Sequence, residues 1–481
     1  MERKLFLWVL SALLLFFSGC GISEEKKDKK TRKSAIQRKV EDYVQVKLTS
    51  DLSKLNEKQK KMLALLFDAS KIVDEIFWEQ ACPNRQMYLD KIKDEYKRRY
   101  FMINYGPWDR LDANKPFIKD VEKKPLGAYF YPTDMTYQEF QDFESEDKYS
   151  LYTLIRRDED GTLKTVPYHE AYKEKLQKVA DLLNQAAEYA ENDNFSNYLK
   201  LRAKALLTDD YMESDLAWMD MKENLVDYVV GPIDDNEDML FWAKASYKAM
   251  ILIKDKKLSQ ELERFTLLLD YLQKSLPVPD KYKKEKPGKA SDFGVYDILF
   301  YAGDCNAGSK TIAINLPRCG AVQLKKGSRK LNFKNTMKAK FDKILVPISN
   351  VIIDKEQRKY VNFDAFFHDI MFYEVSNGLG LVNTVNGKGT VKEALKDYYS
   401  VVENTKADVL SLYFITKLHD MNELGENHNL MENYVTFMAD IFRSVRFGAT
   451  SPQGKANMIR FYYFQEKGAF TRDEKKGTYS V

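Results

Sequence analysis

Between residues 56 and 100 the apolar positions fall three and four apart, with Met62, Leu65, Leu66 and Ala69 on one face, which predicts helix. From 101 to 150 the pattern breaks. Gly106, Pro107, Pro116, Pro125, Gly127 and Pro132 punctuate a run of aromatics, which predicts loops and short strands. Helical spacing returns over 167–207. The segment VDYVVGPI (226–233) predicts a strand ending in a turn, and helices are expected from about 238 to 275. Pro277, Pro279 and Pro287 mark a boundary between two lobes. Residues 298–316 mix strand-like runs with a glycine-rich loop, and 335–464 are mostly helical in pattern. No internal repeat interrupts this order.

The first twenty residues have a different pattern. Arg3 and Lys4 precede an apolar stretch over 5–17, too short to span a bilayer comfortably, and FSGC (17–20) closes it. This is the layout of a bacterial lipoprotein signal. Residues 1–19 are expected to be removed, leaving Cys20 as a lipidated N-terminus. Residues 20–34 are then that Cys and a charged tether, rich in Lys and Glu. The expected location is the bacterial cell envelope, at the outer membrane or cell surface, with the lipid on Cys20 as the membrane contact.

At 481 residues the chain is long enough for two lobes and a large core, so it needs no disulfide framework. The net charge of +4 sits on 76 basic and 72 acidic residues mixed along the chain, and no basic stripe points to nucleic acid. Beyond Cys20 there are Cys82, Cys305 and Cys319, with no metal-type spacing; one disulfide is compatible with them. Asp304-Cys305-Asn306 lacks a motif-linked His, so Cys305 reads as structural. The four histidines, His169, His368, His419 and His428, are scattered and form no helical pair. The segments GKASDFG (288–294) and GDCNAG (303–308) lack the Lys-Ser/Thr ending of a phosphate loop.

Apolar residues at 363, 366, 367, 370 and 371 predict one face of a helix that runs into Tyr373-Glu374-Val375-Ser376-Asn377 and a glycine turn. In zinc peptidases of the HExxH kind, two His four apart on a helix hold the metal and the Glu between them acts as general base. Here the two positions hold Tyr373 and Asn377, with Glu374 retained. His368 is five residues before Tyr373, which puts it off the Tyr373 face.

Longer strings carry a resemblance. INYGPWDR (103–110), TDDYMESDLAWMD (208–220), GPI (231–233), AGDCNAGSKTIAINLP (302–317), KAKFDKILVPI (338–348) and NTVNGKGTVKEAL (383–395) resemble bacterial members of the dipeptidyl peptidase III family of zinc peptidases. The similarity runs from about residue 38 to the C-terminus. It implies an α+β, two-lobed, predominantly helical fold with a smaller mixed lobe and a cleft between lobes. The expected lobes are 35–280, mixed and helical, and 281–481, mostly helical and carrying the metal site.

Laid on the family pattern, the His positions fall on Tyr373 and Asn377. The third ligand falls on Asn404, within VENTKAD (402–408). Glu374 stands at the general-base position and Glu403 beside the third ligand. Gln453 stands where a substrate-facing His is usual. The resemblance also implies a cleft that binds an extended peptide by adding it to a strand edge. With a phenol and two carboxamides at the ligand positions, no metal cofactor is expected, although zinc serves the family. The resulting expectation is a lipid-anchored, catalytically inactive homologue that retains peptide binding. The alternative is an active zinc-dependent aminodipeptidase with a rebuilt metal site.

Overall fold

The computed structural model describes residues 33–285, 292–377, 379–446, 448–449 and 451–481, the side chains of 266 and 397 excepted. The signal, Cys20 and nearly all of the tether lie outside the described residues. The fold is α+β and two-lobed, with two large hydrophobic cores.

The first lobe is built on a sheet covered by helices. Helix α1 (Glu57–Ala81) opens with a reciprocal cap: Asn56 Oδ1 accepts from Gln59 N at 3.0 Å, and Gln59 Oε1 accepts from Asn56 N at 3.1 Å. Met62, Leu66, Ala69, Val73 and Ile76 are buried along one face of α1, against α2 (Lys173–Glu188) and the sheet. Helix α3 (Asp193–Leu206) packs on α2.

The sheet has five strands: β1 (Val226–Asp234), β2 (Ser246–Lys254), β3 (Asp292–Gly303), β4 (Ala313–Leu316) and β5 (Arg329–Phe333). Their order is β1-β2-β3-β5-β4, antiparallel except for the parallel β3–β5 pair. Strand β4 is therefore an edge. Strand β2 corrects the helical expectation for 238–275. Its side chains are buried on both faces, so SYKAMILIK carries no period-two alternation. Gly303 ends β3 with φ of +70°, where a Cβ would stand 2.3 Å from Tyr247 O. That close approach turns the chain into the loop carrying Asp304.

The second core gathers α4 (Lys256–Thr266), α5 (Phe363–Ser376), α6 (Tyr399–Asp420), α7 (Leu430–Val445) and residues of α8 (Pro452–Glu466). The chain passes between cores more than once. Leu262, Phe265, Leu272 and Leu276 belong to the helical core, and β3, β4 and β5 then return to the sheet. Position 280 thus lies on a crossing stretch. Among the described residues, no helix is long and apolar enough to cross a membrane.

Candidate functional site: a cleft between the sheet edge and the helical core

Helix α5 carries Tyr373 and Glu374 near its C-terminal end. It starts at Asn362, whose side chain accepts from Ala365 N at 2.9 Å, and Asn377 caps its far end. Helix α6 packs along α5 and carries Glu403 and Asn404. Helix α8 begins with Ser451, whose Oγ accepts from Gly454 N at 3.0 Å, and with Pro452 in its first turn. A Cβ at Gly454 would stand 2.9 Å from Ala449 Cα, so this turn is packed too closely for a side chain. Gln453 and Arg460 project from α8.

These helices bring the expected ligand positions together. Tyr373 Oη donates to Asn404 Oδ1 at 2.8 Å. Burial pushes the Tyr373 phenol up from its ordinary value, the Glu374 charge adds to this, and a hydrogen bond to Asn377 opposes it. The phenol is therefore held neutral. Behind it, Gln453 Nε2 donates to Asp408 Oδ2 at 3.3 Å, and Arg460 is paired with the same carboxylate. Burial pulls the Arg460 guanidinium down to about 9. Glu403 is bound by Lys406 at 2.6 Å.

Glu374 reaches across to the sheet. Lys330 on β5 donates to its backbone oxygen, and the Lys330 ammonium lies 3.4 Å from Glu374 Oε2. Burial lowers Lys330 and the Glu374 charge raises it. Lys330 pairs with Asn315 in the β4–β5 register, so Glu374 stands beside the edge strand. It lines a cleft of about 410 Å³ together with Ile314, Asn315, Asp234, Asp304 and Lys248.

The sheet wall of this cleft is strongly ionic. Lys248 is almost fully buried between Asp234 and Asp304, at 2.8 Å from Asp304 Oδ2. Arg318 adds a contact of 2.8 Å to Asp234. Burial raises Asp234, but Lys248 and Arg318 outweigh it and hold the carboxyl below its usual range. Just past β1, Glu237 accepts two parallel bonds from Arg110 at 2.8 and 3.0 Å and pairs with Lys124. Burial would raise Glu237; the two cations hold it at about 2.

The histidines are less scattered than their spacing implies. His419 Nδ1 and His428 Nδ1 are 3.1 Å apart, His428 Nε2 is 2.8 Å from Asn433 Oδ1, and Asn433 donates to Asp369 at 3.0 Å. The His368 ring centroid is 6.0 Å from that of His428, and burial pulls His368 down to about 4. His169 stands apart, 2.7 Å from Asp209. Residue spacings of nine and fifty-one offered no signal for this convergence. Among the described residues, no group of three or more His, Cys, Asp or Glu is placed to hold a metal ion. Cys82, Cys305 and Cys319 are free thiols. Burial raises Cys305 to about 12, which keeps it a thiol.

The cleft is thus bounded by the edge strand β4 on one side and, through Glu374, by helix α5 on the other. The model of peptidase family M49 matches residues 145–392, and the chain belongs to that family. It is similar to the solved structure of DPP III from Caldithrix abyssi, with 40% identity, a TM-score of 0.89, and coverage of 92% of this chain and 87% of that one. It is also similar to dipeptidyl-peptidase III from Corallococcus sp. strain EGB, with 33% identity, a TM-score of 0.80, and coverage of 93% and 85%. A curated relative, Nudix hydrolase 3 of Arabidopsis thaliana, is 31% identical over 94% of this chain. The chain spans 66% of that relative's length.

This membership corrects one expectation. M49 peptidases are zinc-dependent, so zinc is the cofactor the family assigns, and the absence of any cofactor does not stand. The side chains at 373, 377 and 404 do not fit that ion. The neutral Tyr373 hydroxyl donates a hydrogen bond to the Asn404 oxygen, which is the atom Asn404 would turn to a metal.

Proposed function

We propose that this chain is a peptide-binding member of family M49 in which hydrolysis has been lost from the helical wall of the cleft. The observation that carries this is the hydrogen bond from Tyr373 to Asn404. It joins two of the expected ligand positions to each other through neutral groups and occupies one of the two lone pairs of Asn404 Oδ1. Glu374, at the general-base position, faces Lys330, which balances its charge. The opposite wall supports an extended peptide: β4 is an edge strand of the sheet, beside the buried Lys248–Asp304 pair.

The test is binding and cleavage on one sample. Short unmodified peptides are titrated into the purified chain with zinc present, and the products are followed by mass spectrometry. Binding in the micromolar range without release of N-terminal dipeptides supports the reading. Chelator-sensitive release of dipeptides would establish instead an active zinc-dependent aminodipeptidase, built on ligands other than the three positions.

The N-terminal pattern adds a second element. We propose that Cys20 carries a diacylglycerol anchor and that the chain works at the cell envelope on peptides, with no nucleic-acid partner. Labelled palmitate incorporated into the parent chain, and absent from Cys20→Ser, supports this; equal labelling or none in both removes it.

A further inference from the structure

A second cavity, of about 840 Å³, opens beside the first. Its apolar side is formed by Val44, Trp78, Met102, Ile103, Ile344 and Pro347. Five cationic residues line it: Arg99, Lys310, Lys340, Lys343 and Arg446. Against them, among the described residues lining the cavity, stand the carboxylates of Asp42 and Asp74. Asp74 is already engaged, accepting from Tyr105 Oη at 2.5 Å and from Gly303 N at 2.7 Å.

Among the described residues, Lys310 and Lys340 are placed without a carboxylate contact. Lys310 Nζ donates to the carbonyls of Asn306 and Gly308, and Lys340 Nζ lies 3.5 Å from Ser309 Oγ. Burial pulls Lys310 down to about 8. Burial also pulls Lys340 to about 8, helped by Arg443, Arg446 and Lys310 and opposed by Asp440. Desolvated ammonium groups facing a roomy, partly apolar space are a setting that an anion relieves.

The position of the cavity says which anion. Ser309 lines both cavities, and residues 309–312 lead from this one directly into β4. The four steps from Lys310 to Ile314, the last two residues of which are in β4, span at most about 13 Å at ~3.3 Å per residue. A peptide laid along β4 reaches the lysines within about four residues of its own. We propose that this compartment takes the terminal carboxylate of a peptide lying on β4, with Lys310 and Lys340 as the anion-binding residues and the apolar side receiving the last side chain. This rests on the peptide-binding reading of the cleft and adds which end is recognised, and by what.

The experiment is isothermal titration of the purified full chain with three probes at one low ionic strength. The probes are the pentapeptide Tyr-Val-Ala-Val-Leu as free acid, the same peptide as C-terminal amide, and octanoate. The acid is expected to bind at least tenfold more tightly than the amide. Lys340→Met should erase the difference while leaving the amide's affinity in place, and Lys340→Arg should retain the preference. Circular dichroism of each variant confirms that it is folded. Acid and amide binding alike overturns this inference and leaves the peptide cleft intact. Neither peptide binding overturns both, and octanoate binding alone identifies the site as one for free carboxylate amphiphiles instead. If Lys340→Met keeps the preference, Lys310→Met decides: loss supports the site, and retention overturns it.

Discussion

The two walls of the cleft have been built to different chemical standards. On the sheet side, charges are buried and each is matched: Lys248 between two aspartates, Glu237 between Arg110 and Lys124. On the helical side, at the positions expected from the sequence to correspond to metal ligands, Tyr373, Asn377 and Asn404 are neutral, and Tyr373 hydrogen-bonds Asn404. Buried charge networks are costly to break piecemeal, since removing one member strands the others. Neutral hydrogen-bonded groups carry no such penalty. The difference teaches that a wall held by matched buried charges resists change one residue at a time, while a wall of neutral hydrogen-bonded groups is open to it.

That contrast can be broken at its strongest point by restoring donors on the helical wall. The triple variant Tyr373→His, Asn377→His, Asn404→Glu is expected to raise zinc affinity by ~10³-fold or more, since two imidazoles and a carboxylate replace neutral oxygens. Competition with a chromogenic chelator measures it. An unchanged affinity would show that the helical wall has lost its geometry as well as its ligands.

The next effect lies on the sheet wall. Glu237→Gln leaves Arg110 and Lys124 buried beside a neutral amide, and should cost about 3–5 kcal/mol of stability in denaturant titrations. The parent should show the matching pH dependence. Glu237 is depressed in the folded state, so its contribution is present above the unfolded value near ~4.3 and is lost as pH falls through about 2. A variant as stable as the parent at pH 7 would remove the claim that this wall is held by its charges.

The smallest effect returns to the helices. Tyr373→Phe deletes one neutral hydrogen bond and should cost about 1 kcal/mol, with peptide affinity unchanged. A loss comparable to that of Glu237→Gln would make the two walls energetically alike. A fall in peptide affinity would place the phenol in contact with the ligand.

Much of this was legible in the chain. Helix α5 was visible in the apolar face over 363–371, and Tyr373 and Asn404, singled out through the family strings, do lie within hydrogen-bond reach of each other. Strand β2 was missed because a strand buried on both faces has the continuous apolar run of a buried helix. The Lys330–Glu374 contact was missed because it joins strand β5 to helix α5 across forty-four residues, and no local spacing reports it. The histidines were read as scattered for the same reason: α5, α6 and the start of α7 meet only in the packed core. The second cavity had no signal either. Its lysines become unusual only when burial removes their water.

The passage of the chain between the two cores has a consequence for how such a molecule changes over generations. The helical core takes α4 from between β2 and β3, and the sheet takes β3, β4 and β5 from beyond α4. Neither half can be cut away as a contiguous piece without unpicking the other. A fold interleaved in this way has no simple route to discarding an unused half, and drift is confined to exchanging side chains one position at a time on a scaffold that stays whole.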